Sequence, residues 1–116
     1  MKKSKILILL FFATSSVFAK NPDCTGINQW TTSMALVHLN NAGITNGSKV
    51  DPKKTKTLRL ASERIGKDLY HQIHHVTFTE TSGKIVAVIT SNNVSNEECS
   101  MSGVDVYVIT KQLGGP

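Results

Sequence analysis

Three patterns of apolar residues succeed one another along the chain. Ile6 to Phe12 is an unbroken apolar run behind Lys2, Lys3 and Lys5, and Val17-Phe18-Ala19 follows it with small or aliphatic side chains at alternate positions. A basic start, a short apolar stretch and such an ending predict a leader cleaved after Ala19. The run is much shorter than the roughly 20 residues a membrane-spanning helix needs, so no stable anchor is expected from it. No cysteine sits where a lipid would be attached, since the first one, Cys24, lies in Asn-Pro-Asp-Cys.

Between Trp30 and Ile44 the spacing changes to a helical one. Met34, Ala35, Leu36, Val37 and Leu39 form an apolar stripe, with Thr31 or Thr32 placed to cap the N-terminus. Gly43 stands where a helix commonly ends on a left-handed residue, and Ile44 can fold back on Leu39. Asn46-Gly47 and Asp51-Pro52 then mark a polar loop. Thr57 to Leu69 supports two readings. Leu58 and Leu60 alternate as in a strand, whereas Leu58, Ala61, Ile65 and Leu69 share a helical face. The strand is preferred, to about Glu63, with a turn at Ile65 to Asp68.

The C-terminal half alternates with period two. Leu69 to Glu80 is rich in β-branched and aromatic residues, Ser82-Gly83 reads as a tight turn, and Lys84 to Thr90 returns as a strand. A polar loop from Ser91 to Gly103 leads to a last strand, Val104 to Thr110. The expected fold is α+β: one short helix packed on an antiparallel β-meander of three to four strands. Residues 20–116 form one small domain.

Composition adds two constraints. The whole chain has 13 Lys and Arg against 8 Asp and Glu, but three of the lysines leave with the leader, so the remainder is nearly balanced. Lys49, Lys53, Lys54, Lys56 and Arg59 make one basic run, read as a solvated loop rather than a nucleic-acid surface. Cys24 and Cys99 are the only cysteines. Behind a leader they enter an oxidising compartment, periplasmic or extracellular, and are expected to pair as the single disulfide.

Candidate chemistry is sparse. His71, His74 and His75 suggest a metal cluster, but on a strand His71 and His75 lie about 13 Å apart on one face while His74 points to the other. One zinc ion cannot gather all three, and no metal or cofactor is expected. His38 reads as a hydrogen-bonded core or boundary histidine, and no nucleophile is spaced to use it. Gly43 to Lys49 lacks the spacing of a phosphate loop. An enzyme is therefore not expected.

In leader, size and single disulfide the chain resembles the small exported inhibitor and immunity proteins of bacteria. The stretches Thr32 to Leu39 (TSMALVHL) and Asn96 to Gly103 (NEECSMSG) read as pattern-like segments within that format. The resemblance implies a protein that binds and neutralises a toxin or enzyme by occlusion, as the immunity partner in contact-dependent growth inhibition does. A basic nuclease is one such target. The residues expected to meet the partner are Tyr70, His71 and His75 on the strand, and Glu97, Glu98 and Met101 on the disulfide-pinned loop. Two rival readings are a periplasmic small-ligand or metal-binding protein using His71 to His75, and a small secreted hydrolase. The oligomeric state stays open.

Overall fold

A computed structural model describes residues 21–111 and 113–115; the leader expected over residues 1–19 lies outside them. Helix α1 spans Trp30–Asn41, a 3-10 turn spans Pro52–Lys54, and four strands follow: β1 Lys56–Gly66, β2 Leu69–Thr79, β3 Ile85–Val94 and β4 Asp105–Ile109. The strands form one antiparallel sheet in the order β1-β2-β3-β4, an open meander with the helix on one face. The α+β expectation holds, with four strands. Among the described residues no helix is long and apolar enough to cross a membrane.

The helix ends as its sequence predicts. Gly43 has φ +74°, the Ile44 N–H donates to the Leu39 carbonyl at 3.0 Å, and the Gly43 N–H donates to Asn40 at 3.0 Å. These two bonds make a Schellman motif, which satisfies carbonyls the helix leaves open. Its start differs from the expectation. The N-cap is Gln29, with no side-chain cap, and both threonine hydroxyls point into the protein instead. Thr31 donates to Asn92 Oδ1 at 3.2 Å, and the Thr32 and Thr57 hydroxyls share a 2.7 Å bond. Thr31, Ala35 and Leu39, spaced i, i+4, i+8, make the buried stripe, whereas Val37 faces solvent.

The stretch with two readings is a strand that runs three residues past Glu63, to Gly66. Its period-two pattern is broken by register shifts between Arg59 and Ala61 and between Arg64 and Gly66, which leave Leu60 and Ile65 as unpaired extra residues. The turn is correspondingly later than expected: Gly66 pairs with Leu69, and Asp68 takes φ +47°. The Asp68 carboxylate is held there by the Asn96 backbone N–H (3.0 Å) and side-chain amide (2.7 Å). The β2–β3 turn closes at Gly83, whose φ of +97° suits a residue without a Cβ.

Strand β3 runs four residues beyond Thr90, through Ser91-Asn92-Asn93-Val94, which the sequence reading assigned to a loop. Polar side chains of low strand propensity are kept there by specific partners. Asn92 reaches Thr31 and the Cys99 carbonyl, and Asn93 and Ser91 reach His71.

The inner face of the sheet carries the core. Val76, Phe78, Val86 and Val88 pack with Ala35, Leu39 and Val50, flanked by Leu36, Ile44 and Val106. A second cluster joins Tyr70 and Val94 to Cys24, next to Cys99. The expected Cys24–Cys99 disulfide is present, with the two Cα atoms 5.8 Å apart and 75 residues between them in sequence. It fastens the segment 21–25, which has no regular structure, across the inner face. There the Pro22 carbonyl accepts from Gln72 Nε2 and from the Arg59 guanidinium, each at 2.9 Å.

Candidate binding surfaces

Because neighbours along a strand point to opposite faces, the register fixes which side chains share the outer face. Four rows of directly opposed residues cross it. They are Glu63–His71–Asn93, Ala61–Ile73–Ser91–Asp105, Leu58–His75–Ile89–Tyr107 and Lys56–Thr77–Ala87–Ile109. On the inner two strands these residues are half-buried by their neighbours alone, whereas Leu58 (61%) and Tyr107 (60%) on the edge strands are largely exposed. Leu58, Ile89 and Tyr107, with Ile73 in the next row, thus make an apolar strip across the middle of the sheet that is interrupted on β2 by His75. His71, in the polar row beside Glu63, is held by its neighbours: Nδ1 bonds Asn93 Oδ1 at 2.8 Å and Nε2 bonds Ser91 Oγ at 3.0 Å. Both ring nitrogens are thus engaged by neighbouring polar side chains.

The loop after β3 is built differently. Ser95 Oγ accepts from the backbone N–H groups of Glu97 (3.2 Å) and Glu98 (3.1 Å), a local side-chain turn that starts the loop. Asn96 is tied to Asp68, Cys99 to Cys24, and the Met101 N–H to the Asn93 carbonyl at 3.1 Å. The Ser102 hydroxyl accepts from the Asn93 N–H at 2.8 Å, and the Ser102 carbonyl accepts from Trp30 Nε1 at 3.0 Å. Glu98 is oriented by Ser100, whose hydroxyl donates to Oε2 at 2.7 Å. Glu97, Glu98 and Met101 stay exposed on this braced loop. Beside it lies an open groove of about 370 Å³ lined by Asp23, Gln29, Asn96, Glu97 and Glu98. The Asp23 carboxyl sits below its ordinary range because Thr25 donates to it from both hydroxyl and backbone.

The six expected contact residues therefore do not form one surface. His71 and His75 lie on the outer face. Glu97 and Glu98 border the segment 21–23, which crosses the inner face. Tyr70 is a correction: it is only 4% exposed and packs on Cys24 and Val94, because as the neighbour of His71 it must point the opposite way. His38, expected as a core or boundary histidine, is exposed on the helix, which rules out the core.

His74 is the buried histidine instead. It opposes Arg59 on β1 and Thr90 on β3, within a polar layer that includes Gln72, Asn92 and Thr31, all at most 2% exposed. Neither ring nitrogen has a hydrogen-bond partner among the described residues. Burial lowers the pKa of His74 below the ordinary 6.5, the Arg59 charge lowers it further, and Asp23 partly offsets both. The unfolded chain therefore takes up this proton first as pH falls. Stability from His74 is fully present above about pH 6.5 and is lost as pH drops through it towards the folded-state value. Urea melts at pH 7.5, 6.5 and 5.5 should show falling midpoints. His74→Phe should flatten that slope, and an unchanged slope in the variant would reject the assignment.

Comparison of the chain with protein-family models, with curated proteins and with solved structures finds no match.

Proposed function

We propose that the protein is an exported binding protein that neutralises a toxin or enzyme by occlusion, as the immunity member of a contact-dependent growth inhibition pair would. The observation carrying this reading is the braced loop 95–103, which presents Glu97, Glu98 and Met101 from a backbone tied at Asp68, Cys24, Asn93 and Trp30. Loop ordering opposes binding by about 0.5–1.5 kcal/mol for each immobilised side chain, and a loop ordered beforehand avoids much of that cost. The carboxylates of Asp23, Glu97 and Glu98 along one groove suit a basic partner, for which they raise the rate of encounter. Met101, exposed on the same loop, supplies an adaptable apolar contact. Blocking the target's working surface requires no chemistry from this chain.

The test is the double reversal Glu97→Lys/Glu98→Lys, and separately Met101→Ala, in protection and binding assays against the toxin encoded beside the gene. The double reversal is expected to slow association about tenfold at low salt and to weaken its salt dependence, with circular dichroism unchanged. Full protection by the double reversal and by Met101→Ala, each at undiminished association rate, would refute the proposal.

A further inference from the structure

The outer face of the sheet has a direction. Acidic residues stand at one end, Glu63 on β1 and Asp105 on β4. The basic Lys56 stands at the other end of β1, preceded by exposed Lys53 and Lys54. Between them lies the apolar strip of Leu58, Ile73, Ile89 and Tyr107. We infer that this face binds a second copy of the same chain, in a two-fold dimer whose axis runs across the strands.

The charge layout selects that axis. Rotation about a line across the strands places β1 over β1 in reverse direction, so Glu63 of each copy meets Lys56 of the other. It also sets the Leu58–His75–Ile89–Tyr107 row against the Ala61–Ile73–Ser91–Asp105 row, so that Leu58 meets Ala61 and His75 meets Ile73, while Ile89 and Tyr107 meet the polar Ser91 and Asp105. Rotation about a line along the strands instead brings Glu63 towards Asp105 of the other copy, and like charges in a closing interface are costly. Closed two-fold pairing of one self-complementary patch is also the commonest symmetry of soluble oligomers.

The dimensions are sufficient. Four strands about 4.8 Å apart and four rows about 6.7 Å apart give a footprint of roughly 500 Å² on each copy. Two such faces bury about 1,000 Å², the range of weak, transient interfaces. Aligned sheet packing tolerates the twist, with strands of the two copies crossing at about 30°. A dimer of this size is expected to be weak and concentration-dependent rather than permanent. The acidic groove lies against segment 21–23 on the opposite face, so the dimer leaves Glu97 and Glu98 free, whereas Ser102 and Gly103 share a cavity with His71, Ser91 and Asp105 at the end of the dimer face.

Sedimentation velocity of the exported protein across a concentration series tests the inference. Wild type should shift from monomer to dimer. Ile89→Glu and Tyr107→Lys should each weaken the dimer at least about tenfold, Tyr107 being exposed on an edge strand where substitution spares the fold. Glu63→Lys and Lys56→Glu should each weaken it, and the two together should restore it to within about threefold of wild type. A wild type that stays monomeric to about 500 μM overturns the proposal. So does a dimer unaffected by Ile89→Glu and Tyr107→Lys, or a double reversal no better than either single one.

Discussion

Replacing both cysteines by alanine is expected to remove about 4.5 kcal/mol of stability, the chain-entropy value for a closed loop of this length. That is close to the whole folding free energy of many small domains. The structure gives a second reason for a large effect. Segment 21–25 has no helix or strand to hold it, and it covers the inner face through the disulfide, two hydrogen bonds to Pro22 and one from Ser62 to Asn21. Freed, it would uncover Tyr70 and Val94, and leave the Gln72 amide and Arg59 guanidinium without that carbonyl. The loop bearing Glu97 and Glu98 would lose its central tie at the same time, so partner capture should weaken together with stability. Urea melts of wild type with and without reductant, beside the Cys24→Ala/Cys99→Ala variant, measure this. A midpoint unchanged by reduction would show that the staple contributes little.

How far the fold is legible in the sequence can be judged element by element. The helix end was readable because Leu39, Gly43 and Ile44 make a purely local motif, whose hydrogen bonds are intrinsic to a left-handed C′ glycine. The helix start was not, because Thr31 and Thr32 have distant partners, Asn92 and Thr57, that no local rule supplies. Strand β1 looked ambiguous for a physical reason: extra residues at Leu60 and Ile65 reset its alternation, and the resulting spacing imitates a helical face. The placement of Tyr70 was legible and was missed. Strand alternation alone puts it opposite His71, and only grouping by residue type joined the two. The outer-face strip lay beyond sequence reading, since it depends on the register among four strands. Leu58, Ile89 and Tyr107 come together only through that pairing.

Asn92 shows most sharply what composition conceals, and Asn92→Ala is expected to cost roughly 2–4 kcal/mol. It lies in a run of Ser and Asn with every local mark of a loop, yet it is 2% exposed on a strand. Its side-chain oxygen accepts from Thr31 in the first turn of α1, and its amide donates to the Cys99 carbonyl at 3.1 Å. One residue thus joins the helix, the sheet and the disulfide loop. Alanine would leave the buried Thr31 hydroxyl and the Cys99 carbonyl without this partner, each at about 1–3 kcal/mol. Asn92→Asp separates the two contacts. It keeps the acceptor for Thr31 but places a carboxylate against the Cys99 carbonyl, so it should loosen the loop even where the helix contact survives. Hydrogen exchange is the suitable readout. Asn92→Asp should raise exchange at Glu97, Glu98 and Met101 well above that in α1, whereas Asn92→Ala should raise it in both. Equal protection of loop and helix in both variants would mean that the bracing of the loop rests on the disulfide and Asp68, and not on Asn92.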